Sequence, residues 1–329
     1  MHDLPPIAVF AYSRPNHLVA VLKALDRSMA FFEKKFPVYI FCDAPKEEKK
    51  REQVEKTREV ALAYKGAKVI LREHNLGFNN IVEGITRLCH LHGRAIIVED
   101  DVIVSPDFLP YMTHALDYYE ETPQVFMVSG FMYYTRFPSH FKTFFLPSSF
   151  IWGWGTWQRA WQHFSWAPTG WEAFACDKKA HYEYDYFGAI GFSKLLRESI
   201  TGHVSAWDAQ WMYSMYQKGG LGLHPHRSLT WNCGVGGGTH GTENVDNDPM
   251  HSKREYYIHG RRELSDFATP QLSQHIYSGR AFPEKVCINK EAMHLLAHTF
   301  LQQRWRNGER KEKIIFKMIK NSLLLPVSF

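Results

Sequence analysis

Three adjacent carboxylates, Glu99, Asp100 and Asp101, follow the apolar run Ala95-Ile96-Ile97-Val98. Burying such groups unpaired would be prohibitive. They are stable if they meet a divalent cation, since Mg²⁺ or Mn²⁺ takes one or two protein carboxylates together with phosphate oxygens and water. The other reading is a solvated strand end, or a set of caps for a helix near Phe108. The remaining metal-ligating types are scattered: Cys42, Cys89, Cys176, Cys233 and Cys287 form no C-x-x-C pair. An odd number of widely spread cysteines also argues against a disulfide framework. His90 and His92 flank Cys89 at spacings that point in different directions on a helix.

The acidic triplet needs elements to present it, and the periodicity supplies them. From Ile7 to Tyr12 runs an apolar stretch, punctuated by Ser13-Arg14-Pro15-Asn16. Leu18, Val21, Leu22, Leu25 and Met29 then recur at helical spacing, so strand, loop and helix are predicted. The pattern repeats with a strand Val38 to Phe41 ending at Asp43, a charged helix from Lys46 to Tyr64, and a strand Lys68 to Leu71. A helix from Phe78 to Leu91, the strand Ala95 to Val98, a helix from Phe108 to Glu120 and a strand Gln124 to Val128 complete the alternation. Strands alternating with helices predict an α/β chain with a mostly parallel sheet flanked by helices, and such sheets bind ligands at the carboxyl ends of their strands. Ser13, Arg14, Asp43 and the acidic triplet all fall at that edge.

Beyond Gln124 the character changes. Aromatics crowd, strands shorten, and Gly and Trp cluster in Trp152-Gly153-Trp154-Gly155-Thr156-Trp157. A helix is predicted from Asp208 to Lys218, followed by the glycine-rich Cys233-Gly234-Val235-Gly236-Gly237-Gly238-Thr239-His240. Six motifs stand in order: A-Y-S-R at 11–14, Y-I-F-C-D-A-P at 39–45, I-I-V-E-D-D-V-I-V-S-P-D-F at 96–108, F-I-W-G-W-G-T-W at 150–157, W-D-A-Q-W-M at 207–212 and G-G-G-T-H at 236–240. Together they resemble the GT-A nucleotide-sugar glycosyltransferases, which have a Rossmann-like fold, and most closely the N-acetylglucosaminyltransferase I type. The E-D-D block and the later W-D are the specific matches, and the resemblance covers roughly the first 240 residues.

The resemblance implies roles for individual residues. Arg14 would contact the nucleotide or its diphosphate, for which a bidentate guanidinium is suited; otherwise it is a surface Arg before Pro15. Asp43 would accept from the uracil edge, or cap a helix. Asp100 would lie near the ribose, Asp101 would ligate Mn²⁺ or Mg²⁺, and Glu99 would support the donor sugar. Ser13 and His74 would flank the nucleotide. Trp154 would stack on a sugar face or simply pack. The glycine-rich loop would order over the bound donor, with His240 on the metal or diphosphate, or it is a surface turn. Asp208 would be the general base that deprotonates an acceptor hydroxyl in an inverting displacement, or an N-cap. The match departs at Ala209 and Gln210, where the family carries acid.

On this resemblance residues 1–125 form the nucleotide- and metal-binding half of one domain, 126–260 its sugar-pocket half, and 261–329 a C-terminal extension with a basic amphipathic tail. The implied activity is transfer of a hexose or N-acetylhexosamine from a nucleoside diphosphate, UDP by the match, to a glycan or glycolipid hydroxyl. A sugar-phosphate nucleotidyltransferase would open on a basic Gly-rich signature that is not seen here, and a non-catalytic carbohydrate-binding protein would not need the acidic strand end.

Composition agrees with an enzyme of this kind. The 329 residues include 23 Phe, 10 Trp and 16 Tyr, and 45% are hydrophobic, which excludes disorder or a fibrous repeat. Lys and Arg number 39 against 34 Asp and Glu, a formal charge of +5. The excess gathers in the tail, where Arg304, Arg306, Arg310, Lys311, Lys313, Lys317 and Lys320 flank Ile314, Ile315, Met318 and Ile319. That tail reads either as an interfacial helix on an anionic membrane or as a helix packed on the domain. Elsewhere bases and acids are interspersed, so no nucleic-acid partner is expected. The N-terminus has no signal-peptide pattern and no run of about 18 apolar residues occurs. A cytoplasmic protein is expected, peripheral on the inner face of the plasma membrane if the tail binds lipid.

Overall fold

The computed structural model describes residues 3–138, 140–234 and 282–306, with side chains described as far as residue 302. β1 (Ile7–Ala11), β2 (Val38–Cys42), β3 (Ala67–Leu71) and β4 (Arg94–Glu99) lie in the order β3-β2-β1-β4, each pair parallel. They are joined by α1 (Pro15–Met29), a 3-10 turn (Glu48–Lys50) leading into α2 (Arg51–Ala63), and α3 (Phe78–His92). β1 is buried at every position, as expected for a strand with both faces covered. Ile7 and Val9 join Leu18, Val21 and Leu25 of α1 on one face. Ala8 and Phe10 meet Ile81, Ile85 and Leu88 of α3 on the other, the period of two that a strand imposes.

The aromatic-rich half completes the same sheet. β5 (Val102–Val104) and α4 (Phe108–Tyr118) lead to β6 (Val125–Ser129), β7 (Thr143–Leu146) and β8 (Trp154–Trp157). Four short helices follow: α5 (Gln158–Trp161), α6 (Trp171–Cys176), α7 (Lys178–Tyr184) and α8 (Phe192–Ile200). α9 (Trp207–Gln217), β9 (Leu221–Pro225) and β10 (Thr230–Asn232) come next. The eight-stranded sheet continues β4-β8-β6-β9-β7. β8 is antiparallel to both its neighbours and β7 to β9, while β6 and β9 are parallel, so six strands share one direction. The mostly parallel α/β sheet is as the sequence predicts. β5 and β10 form a separate antiparallel ribbon beside the carboxyl end of β4.

The expected boundary at residue 261 lies outside the described residues, but part of the segment beyond it packs on the sheet. α10 (Lys290–Arg306) buries Ala292, Met293, Leu296, Ala297, Phe300 and Leu301 against a cluster that includes Phe131, Phe144 and Tyr186. Just before it, Asn289 N donates to Phe145 O at 2.9 Å, and Ile288 bridges Phe145 in parallel. Residues 282–302 are thus built into the domain rather than appended to it. The side chains of the basic tail lie outside the described residues. Among the described residues no helix is long and apolar enough to cross a membrane.

Leu296 is wholly buried. Truncating it to Ala is expected to cost about 2–5 kcal/mol in denaturant unfolding, as for other fully buried leucines. A change under about 0.5 kcal/mol, the size seen at exposed positions, would show the helix to be peripheral.

Candidate active site

Parallel pairing sets Phe10 opposite Glu99, so Tyr12–Arg14 and Glu99–Asp101 leave the sheet side by side. Asp100 N donates to Phe10 O at 2.9 Å, and Tyr12 N donates to Asp100 Oδ2 at 3.0 Å. Arg14 is the N-cap of α1 and precedes Pro15, which keeps it out of the helical region, at φ −127 and ψ 73. Its guanidinium lies against the acids, with Nη1 donating to Asp101 Oδ2 at 2.7 Å and Nη2 to Asp100 Oδ1. The β5–β10 ribbon closes the third side, where Cys233 N donates to Asp101 O at 2.8 Å. Gly234 lies so close that a Cβ there would overlap Asp101 Oδ2 and Arg14 Nη1.

Burial dominates the electrostatics of the acids, and neighbouring charges adjust it. Burial pushes the Glu99 carboxyl up to about 8; Asp101 reinforces this, Arg14 opposes it, and Asp100 and Asp208 add to it. Burial likewise raises Asp100, with Arg14 opposing. Burial works against the charge on Arg14, yet Asp100 and Asp101 raise its pKa above the ordinary value.

Asp208 is felt by Glu99 although it comes from a different element. Ala206 is the N-cap of α9 and Asp208 is its second residue, which removes the capping alternative. Ser149 Oγ donates to the Asp208 backbone carbonyl at 3.5 Å, linking α9 to the loop after β7. Trp207 and Trp211, both buried, anchor the helix against Trp154 and Trp161.

Other expected residues fall differently. Asp43 accepts at Oδ1 from Ala44 N and Leu76 N, and at Oδ2 from Asn75 Nδ2 and Gly77 N, at 2.8–3.1 Å. Four donors occupy its acceptor positions, so it ties the loop after β3 rather than offering an oxygen to a uracil edge. His74 is exposed beside that tie, and Ser13 is half-buried at the rim next to Arg14. Trp154 is fully buried in a Trp cluster, so it has no open ring face for a sugar. The residue on the open side of the same motif is Trp152, half-buried, its carbonyl accepting from Thr230 Oγ1 at 2.8 Å. Gly153, at φ 73, makes the turn between the two. Sequence reasoning passed over Trp152, and also Gly234, although the latter stands in the glycine-rich run. His240 and Gly236–Thr239 lie outside the described residues.

A divalent cation fits this donor set. Among the described residues no three His, Cys, Asp or Glu side chains form a ready cage. Mg²⁺ and Mn²⁺ do not need one, because they accept one or two carboxylates and complete their shell with phosphate oxygens and water. The hard oxygens of Asp100 and Asp101, side by side at the strand end, match that requirement.

Neither the protein-family models nor the curated proteins compared with the sequence contain a match. Solved structures do. GalNAc-T7 with UDP, GalNAc and Mn²⁺ overlaps 68% of this chain at TM-score 0.40 and 8% identity, and this chain spans 42% of its length. The mannosyltransferase PcManGT from Pyrobaculum calidifontis, in complex with GDP-Man and Mn²⁺, overlaps 98% at TM-score 0.41 and 10% identity, spanning 81% of that protein. S. aureus TarS 1–349 overlaps 96% at TM-score 0.36 and 12% identity, spanning 88%. Overlaps this loose carry no functional argument, so the reading below rests on the site.

The Glu99 shift fixes a pH dependence. Its folded pKa, about 8, lies above the unfolded value near 4.5. The stability of the neutral carboxyl is therefore fully present below pH 4.5 and lost as pH rises through 8. Glu99→Gln is expected to raise the melting temperature in chelator at pH 8.5, with the gain vanishing toward pH 4.5. A gain equal at both values would show that ionisation of Glu99 is not its source.

Proposed function

We propose that the chain is a metal-dependent nucleotide-sugar glycosyltransferase of the GT-A type, transferring a hexose or N-acetylhexosamine from a nucleoside diphosphate to a glycan or glycolipid hydroxyl with inversion. One observation carries this: an acid-rich strand end at the ligand-binding edge of an α/β sheet, braced by one guanidinium and faced by a carboxylate from another element. The W-D and E-D-D motifs support UDP as the nucleotide and the N-acetylglucosaminyltransferase I type as the nearest family.

Asp101 would hold the Mn²⁺ or Mg²⁺, with Asp100 beside it and His240 as a further candidate. A divalent ion held there would supply neutralisation of the charge on a departing diphosphate. Arg14, within reach of the same edge, would hold a phosphate oxygen pair, the geometry its fork suits. Asp208 would accept the proton of the attacking hydroxyl at a carboxylate oxygen, a role that contributes about 10²–10⁴-fold in general base catalysis. Trp152, half-buried and packed on Phe131, is the less buried tryptophan of the same motif and the candidate to reach a saccharide. The basic residues of the tail support a lipid-linked acceptor and a location on the cytoplasmic face of an anionic membrane. Nothing in the site favours the nucleotidyltransferase or non-catalytic readings.

The test is a panel of nucleotide sugars scored for Mn²⁺-dependent binding and for transfer. Asp101→Ala is expected to abolish metal-dependent binding. Asp208→Ala is expected to keep binding and lose transfer by about 10²-fold or more. If neither substitution matters, the site is elsewhere.

A further inference from the structure

We infer that Arg14 is a built-in counter-cation: its guanidinium occupies the oxygens of Asp100 and Asp101 that a divalent ion would use, and gives them up only when a diphosphate offers it new partners. The inference rests on the nucleotide-sugar reading and adds to it a rule of binding order.

Both arms of the fork are engaged at once, Nη1 on Asp101 Oδ2 at 2.7 Å and Nη2 on Asp100 Oδ1. A planar guanidinium satisfies two carboxylates in this way, where a point-charge ammonium would not. The pair is also held from above, since Gly234 leaves no room for a side chain between itself and the two charged groups. A metal ion binding alone would have to displace Nη1 from Asp101 and leave a positive group beside the incoming ion. Breaking one partner from a largely buried pair is costly because the other is left uncompensated.

A diphosphate changes that balance. The Arg14 side chain keeps 25% of its surface exposed while Asp100 keeps 3%, so the guanidinium, not the acid, can move to a ligand at the rim. Phosphate oxygens accept the same fork geometry that the carboxylates do. The dication then takes the vacated carboxylate oxygen, and each ligand lowers the cost of admitting the other. Coupling of this kind is reciprocal. Its consequence would be that free metal ions do not load the site and that the nucleotide arrives with its metal.

Isothermal titration decides this without any turnover. Wild-type protein is titrated with Mn²⁺ alone, with uridine diphosphate alone, and with uridine diphosphate at saturating Mn²⁺; the same three are run on Arg14→Met. In wild type each ligand is expected to strengthen the other by about tenfold or more. In Arg14→Met, Mn²⁺ alone is expected to bind more tightly than in wild type, and the coupling to fall below the wild-type value to the part that direct contact of ion and diphosphate supplies. A simple through-space charge effect would tighten Mn²⁺ equally with and without nucleotide and leave the coupling intact, which would overturn the inference. Equal Mn²⁺ affinity with and without nucleotide in wild type would overturn it too, even if Arg14→Met does not fold. If wild type binds Mn²⁺ but no uridine diphosphate, the nucleotide reading fails. The Mn²⁺-alone comparison then still decides whether Arg14 guards Asp101.

Discussion

The pairing of Arg14 with Asp100 and Asp101 is the constraint around which the rest of the edge is arranged. Three carboxylates at the end of a buried strand cannot be left uncompensated. The compensation comes from chain topology: β1 lies beside β4 in parallel, so the loop leaving β1 reaches the acids within three residues of the strand end. Pro15 starts α1 and denies Arg14 a helical backbone. Tyr12 N supplies one more donor to Asp100, and Cys233 N ties the β10 end to Asp101.

Asp43 shows how a similar residue at a similar strand end can do something else. It too closes a buried strand, β2, but its neighbours are backbone donors of the loop after β3 rather than a side-chain cation. Four hydrogen bonds satisfy it locally, and so it shapes the pocket wall while Asp100 and Asp101 keep the charge imbalance. Local hydrogen bonding, not carboxylate count, separates the strand end at Asp43 from the one at Asp100 and Asp101.

The first half of the fold was legible because its elements are periodic: β1, β2, α1 and α3 fall within about two residues of where apolar spacing put them. The acid edge was legible because an unpaired E-D-D is physically intolerable. Of the two readings of Trp154, packing is the one its complete burial fits, for a topological reason. Period-two spacing predicts which residues share a face, but not that β8 inserts antiparallel between β4 and β6, where both faces are covered. A Trp in such a strand becomes core, and the less buried member is Trp152, two residues before it. Long-range pairing of this sort leaves no local signature. Nor did spacing reveal that residues 282–302 return to the far edge of the sheet at Phe145.

The aromatic surplus and the mismatch at Ala209-Gln210 have one explanation. Trp207 and Trp211 turn one face of α9 into the Trp154–Trp161 cluster. Ala209 and Met212 turn another into the cluster with Phe174 and Leu196. Gln210 is buried as well, its Oε1 accepting from Ser199 Oγ at 3.0 Å. With both of those neighbours inside, an acid at 209 or 210 would be a buried, unpaired charge. Asp208 is the half-buried acid of the first turn, and it is the one whose field reaches Glu99. The departure at Ala209 and Gln210 therefore leaves Asp208 as the acid of the first turn of α9, and the aromatics hold that helix in place.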